Sequence, residues 1–168
     1  MKIKIGFSKP KKWFVPFSWA IRALYNTKYS HTYVRWHSSG VKVDVAYEAS
    51  GTSVNFVCEE VFNGKTQIIH EYELDITREQ YMSLLHWCMT NAGVDYGTKQ
   101  AIGIGIMKIF GLNRNPLGDK NKQICSEVVA HILNEVKDLG IGVDFEKASP
   151  KDIKTFLDSI PETAKKIL

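Results

Sequence analysis

Apolar residues alternate with lysines at the start of the chain, Ile3, Ile5 and Phe7 against Lys2 and Lys4, which is the period-2 pattern of a strand. Two more alternating runs, His31 to His37 and Val41 to Glu48, flank the turn cluster Ser38-Ser39-Gly40 and predict a hairpin. Ser53 to Val61 and Thr66 to Leu74 predict two further strands, joined at the hairpin signal Asn63-Gly64. His70, on the apolar face of the second, reads as a core histidine. Helical spacing appears first in Trp13 to Asn26, where Phe14, Phe17, Ile21, Leu24 and Tyr25 recur with Pro16 near the start. Thr77 and Gln80 form a capping box for a helix to about Ala92, with Tyr81, Leu84, Leu85 and Cys88 inward. Val94 to Gly97 reads as a turn, Ala101 to Phe110 as an apolar helix under the site, and Gly111 to Lys122 as a loop. From Cys125 a stripe of Val128, Val129, Ile132, Leu133, Val136 and Leu139 predicts a helix, with Glu127 in its first turn and Gly140 as its stop. Ser149-Pro150 starts a last helix to about Leu157, and the tail after Pro161 is expected to fray.

This layout puts Cys125 at a helix start, where free N–H groups and the helix dipole favour a thiolate and can bind an oxyanion formed beside the sulfur. A thiolate nucleophile needs a base, and the base an orienter. The hairpin can supply both. With Ser39-Gly40 as a two-residue loop, His31 lies opposite Glu48, Tyr33 opposite Ala46, Arg35 opposite Asp44 and His37 opposite Lys42. The other face pairs Thr32 with Tyr47, Val34 with Val45 and Trp36 with Val43, so one face is polar and the other mostly apolar. Opposed Cβ atoms are about 5 Å apart, close enough for Glu48 to hold the His31 ring in one tautomer. Arg35 and Asp44 would pair across the strands in the same register. The Cys125 backbone N–H would bind the oxyanion, with Gln123 or Tyr96 as second donor and Ser126 beside them.

The order His, then Glu, then Cys-Ser-Glu followed by two valines resembles the circularly permuted NlpC-like, YiiX-type branch of the papain-like cysteine hydrolases. The matching motifs are Ser30-His31-Thr32, Tyr47-Glu48-Ala49, Asp95-Tyr96-Gly97, Cys125-Ser126-Glu127 and Ser149-Pro150-Lys151-Asp152-Ile153, spread over about residues 30 to 157. Two positions depart from that pattern. Ile5-Gly6-Phe7-Ser8 stands where the usual Gly-Asp opening would, and Asp95 precedes Tyr96 instead of an acid following it. The resemblance implies an α+β permuted papain-like fold, an antiparallel sheet or half-barrel packed with helices, one of them bearing the catalytic cysteine at its N-terminus. It implies Cys125 as nucleophile, His31 as base and Glu48 as orienter, cleaving an amide in a cell-wall peptide as a peptidoglycan endopeptidase or amidase. The same architecture resembles lipid acyltransferases and thioesterases of the lecithin–retinol type, in which the 13–25 and 101–110 stretches would face acyl chains. A third class is a structural or adaptor module that keeps the fold without the chemistry.

Composition narrows the rest. The chain has 168 residues, enough for one domain spanning 1–168. It is 44% hydrophobic and 24% charged, as ordinary globular proteins are. A net charge of +4 does not argue for nucleic acid. Three cysteines make no disulfide framework and fit a reducing compartment. The five histidines and three cysteines lack the close paired spacings of zinc sites, so neither metal nor cofactor is expected. Gly103-x-Gly105 is no dinucleotide fingerprint, because Lys108 stands at the third glycine position. Met1 to Phe7 is too short and charged for a signal sequence, and no run reaches the roughly 18 apolar residues of a membrane span. A cytoplasmic protein is expected, with delivery in a virion or by a partner if its substrate lies outside. The basic-aromatic 13–26 stretch reads as a groove wall, with membrane-surface contact as the alternative. Oligomeric state is not legible.

Overall fold

A computed structural model describes residues 1–12, 15–119, 121–142 and 144–168; Trp13 and Phe14, expected to open the first helix, lie outside them. The elements run β1 (Lys2–Pro10), α1 (Pro16–Tyr25), β2 (His31–Ser38), β3 (Val43–Ser50), β4 (Ser53–Cys58), α2 (Glu59–Lys65) and β5 (Thr66–Asp75). Then follow α3 (Arg78–Asn91), β6 (Asp95–Tyr96), α4 (Thr98–Phe110), β7 (Lys122–Gln123), α5 (Cys125–His131), α6 (Pro150–Ser159) and β8 (Ala164–Lys166). The fold is α+β. One open, curled sheet has the order β7-β6-β4-β3-β2-β1-β5-β8, antiparallel except for the short β6–β7 pair.

Period-2 patterning does what it predicts. Ile3, Ile5 and Phe7 of β1 are fully buried and, with Val34 and Trp36 of β2 and Tyr47 and Ala49 of β3, form the sheet side of the main core. Full burial of such a side chain contributes about 1.5–3 kcal/mol. Opposite them, α5 contributes Val128, Val129 and Ala130, all fully buried. The stripe continues as expected through Ile132, Leu133 and Val136, but as a π-turn over Ile132–Val136. The sequence-encoded caps also form. Thr77 and Gln80 close a capping box on α3, and Ser149 and Asp152 close one on α6.

Several expectations fail, each for a non-local reason. Asn63-Gly64 makes no hairpin but lies inside α2, which carries Glu59 and Glu60 in its first turn and Lys65 in its last, a charge order that suits the helix dipole. β4 is already flanked by β3 and β6, so β5 crosses the sheet to pair with β1. The tail does not fray: Ala164–Lys166 adds an edge strand to β5, with Ala164 buried. Asp95–Tyr96, read as part of a turn, forms the short strand β6. Nor is the β2–β3 hairpin open on its polar face. Phe62 of α2 packs there against Tyr33 and Ala46, so helices cover both sides of the sheet. His70 is half-buried, edge-on to Tyr29.

Behind Phe62 a buried polar cluster forms: Tyr33 Oη donates to Glu71 Oε1 at 2.8 Å, and Arg35 Nη2 donates to Glu71 Oε2 at 2.8 Å. Gly6 makes room for it. Gly6 and Tyr33 are cross-strand partners, and a Cβ on Gly6 would fall inside the Tyr33 ring. The ring cannot swing aside, because Tyr33 is fully buried. Gly6→Ala is therefore expected to cost about 2–3 kcal/mol as overpacking, read as a lowered midpoint in urea denaturation.

Candidate active site

β2 and β3 bring the base and its acid together in a register the hairpin signal missed by two residues. The observed partners are Val34 with Tyr47, Arg35 with Ala46, Trp36 with Val45 and His37 with Asp44. The connecting turn takes four residues instead of two, with Lys42 in the left-handed region at φ 56° and its N–H bonded to Ser38 O. So Arg35 does not pair with Asp44. Asp44 meets His37 at 3.0 Å, and Arg35 goes to Glu71. A two-residue slip keeps the side-chain parity, and His31 and Glu48 remain on one face as diagonal instead of direct neighbours. The glutamate side chain spans that diagonal: His31 Nε2 and Glu48 Oε2 are 2.6 Å apart.

The carboxylate is held from its other oxygen by Ser50 Oγ, which donates to Glu48 Oε1 at 2.7 Å. Ser50 was missed, although Glu48-Ala49-Ser50 places both polar side chains on one strand face. Burial pushes the Glu48 carboxyl up, but His31, Ser50 and Lys65 outweigh it and hold it below its ordinary range. The His31 ring rests on Tyr33, stacked with centroids 6.5 Å apart.

Cys125 opens α5 as the sequence predicts, and its sulfur lies near enough to His31 to act on the ring's charge. The register assigns His31 to the α2 side of the sheet while α5 packs on the other; they meet because His31 is the first residue of β2. With Nε2 engaged by Glu48, Nδ1 is the ring nitrogen left for sulfur. Burial opposes charge on His31, but Glu48 and then the Cys125 sulfur outweigh it and raise the ring's pKa to about 10. The ring is an imidazolium at neutral pH, set between a carboxylate and a sulfur.

This shift has a stability consequence. The folded ring binds its proton more tightly than an unfolded histidine of pKa 6.5, so its contribution is fully present below that value and is lost as pH rises through about 10. Each pKa unit is worth about 1.4 kcal/mol. Urea titrations of wild type and His31→Asn should therefore converge on the alkaline side, the wild type losing a few kcal/mol that the variant never had.

Of the three residues expected around the oxyanion, one is well placed. Tyr96 lines both the groove containing His31 and Glu48 and the crevice at Cys125. Burial raises its phenol pKa, and the charges of Cys125 and Glu48 add to the rise, so Tyr96 stays protonated as a donor. Gln123 Nε2 instead donates to Asn91 Oδ1 at 3.1 Å, and Ser126 Oγ donates to Ala148 O at 2.6 Å from a fully buried position. Both side chains brace the start of α5. Glu127 assists them, accepting from the Ile124 N–H and from Gln100 Nε2 of α4.

Two spaces meet at this point. A groove of ≈ 400 Å³ runs past His31, Glu48 and Tyr96 between Lys9, Lys65 and the α1 residues Phe17 and Ile21. Cys125 opens onto a separate crevice of ≈ 20 Å³ roofed by Ile21 and Tyr25, and is 4% exposed. Sequence reasoning also missed Ser8, the cross-strand partner of His31 at a β-bulge, whose buried hydroxyl has no hydrogen-bond partner among the described residues and which lines the groove. Bulges beside active sites commonly re-aim a side chain. Among the described residues, no three His, Cys, Asp or Glu side chains are grouped to hold a metal ion, and no helix is long and apolar enough to cross a membrane. No protein-family model and no curated protein matches the chain.

Proposed function

We propose that the protein is a thiol hydrolase that cleaves an amide bond through a Cys125 thioester, with a cell-wall peptide as substrate. The observation that carries this is the hydrogen-bonded series Ser50, Glu48, His31, with the Cys125 sulfur at a helix start beside the ring. The thiolate attacks the carbonyl carbon, and the oxyanion is held by the Cys125 N–H and the Tyr96 hydroxyl. As the tetrahedral adduct collapses, the imidazolium gives its proton to the departing amine. The neutral ring then takes a proton from water, which attacks the thioester and frees the acid. Glu48 keeps the ring in the orientation both steps need. The resemblance to permuted NlpC-like, papain-fold hydrolases supports the same roles.

The apolar α1 wall of the groove, Val15, Phe17 and Ile21, favours a second reading in which the scissile bond is a lipid ester or thioester. Intact-mass spectrometry distinguishes the two. The protein is mixed with purified peptidoglycan fragments or with a phospholipid ester and quenched in acid. A peptidyl adduct on Cys125 with release of amine supports the amide reading, and a fatty-acyl adduct alone supports the ester reading. No adduct on Cys125 from either would overturn both, and leave the non-enzymatic module.

A further inference from the structure

α1 is apolar on both sides: Phe17, Ile21 and Tyr25 are half-buried towards the site, and the outward face is apolar too. Its one buried residue is Ser18, whose hydroxyl shares a 2.6 Å hydrogen bond with Ser30. Its exposed residues are Pro16, Trp19, Ala20, Ala23 and Leu24, all of them apolar, and Trp19 is 62% exposed. The surface continues onto α4. Leu24 sits against Gly105, where an added Cβ would come within 2.6 Å of it. Ile102 and Ile109 lie about one turn to either side of Gly105 on the same helix face, and both are exposed, as is Phe110.

Cations border this ridge. Lys9, Lys11, Lys12 and Arg22 share with Trp19 a cleft of ≈ 500 Å³ that has no acidic residue in its wall. Among the described residues no ion pair joins any of the four to an acid. An apolar helix face with a tryptophan at its border and a one-sign basic cleft beside it matches a helix lying in the plane of a membrane interface.

We propose that the α1–α4 face docks on an anionic lipid surface. Lipid phosphates occupy the cleft of Lys9, Lys11, Lys12 and Arg22, while Trp19, Leu24, Ile109 and Phe110 enter the acyl boundary. Charge complementarity selects this occupant: the cleft is positive and unneutralised, and an uncharged apolar partner would leave it so. The inference stands apart from the hydrolase reading, since docking needs no turnover, but the docking helix is also the one whose Ile21 and Tyr25 roof the sulfur.

The test is co-sedimentation of the full chain with phosphatidylcholine vesicles, with and without phosphatidylglycerol, alongside light scattering of the protein alone. Binding is expected only to the anionic vesicles, and Cys125→Ala should bind as wild type does. Each basic residue near such a surface is worth about a fivefold change in partitioning, so joint Lys11→Glu and Lys12→Glu should weaken binding by roughly tenfold or more. Trp19→Glu should weaken it comparably, and Phe110→Ser provides a second apolar variant on another helix. All four side chains are solvent-exposed, and unchanged thermal midpoints would show that the variants are folded. The proposal is overturned by absent binding, by binding that resists both apolar variants, or by a dimer that Trp19→Glu dissociates, which would assign the face to a second copy of the chain.

Discussion

Cys125→Ser is expected to reduce turnover by roughly 10⁴-fold or more while shifting the thermal midpoint by no more than a few degrees. The size follows from removing the atom that forms the covalent intermediate; knockouts of nucleophiles in hydrolytic triads fall in this range. The small stability cost follows from the site. The side chain faces a ≈ 20 Å³ crevice beside the His31 ring, and a hydroxyl is close to a thiol in shape, so little packing is lost there. The other cysteines are controls. Cys58 is exposed at the start of α2, away from the groove, and Cys88 is buried in α3, where burial pushes its thiol pKa up and keeps it protonated. Cys58→Ala should leave activity intact, and iodoacetamide should label Cys125 in preference to Cys88, measured by peptide mapping. Full activity in Cys125→Ser would remove the thiol mechanism entirely.

Glu71→Ala is expected to destabilise the domain by about 3–5 kcal/mol, the largest loss from any single polar side chain here. Glu71 accepts from Tyr33 Oη and Arg35 Nη2, and all three residues are buried. Among the described residues, removing the carboxylate leaves the guanidinium only a 3.5 Å contact to the half-exposed Glu59, and the phenol no partner. The matched control is Asp44→Ala, which breaks the exposed His37 pair at the turn end of the hairpin and should cost under about 0.5 kcal/mol. Because Tyr33 lies under the His31 ring, Glu71→Ala should also lower kcat in whatever fraction remains folded. Equal urea midpoints for the two variants would refute the assignment of the cluster as the support of the site.

What could be read before folding was local or parity-based. Caps act within one helical turn, so the Thr77–Gln80 capping box and Ser149 at the start of α6 were visible as written, and the Asp152 side of the second box completes it. Placing Cys125 at a helix start needed only the apolar stripe that follows it. His31 and Glu48 survived a wrong loop length because a slip of two leaves every side chain on its face. The Arg35–Asp44 match, which looked like independent support, belonged to the wrong register. Opposite charges are common enough to find one another in an incorrect alignment.

The sequence by itself therefore determined the types of the main strands and helices, α2 and the short β6 apart, the faces of the first hairpin and the identities of the nucleophile, base and acid candidates. Tertiary structure alone decided that β5 pairs with β1, that Arg35 goes to Glu71 across the sheet, that Gln123 and Ser126 brace α5, and that α1 covers the sulfur with Ile21 and Tyr25 while Trp19 and Leu24 face outward. The physical reason is range. Backbone periodicity and caps are set by neighbours a few residues away, whereas strand partners and buried ion pairs depend on which surfaces, tens of residues apart, compete to exclude water from the same core.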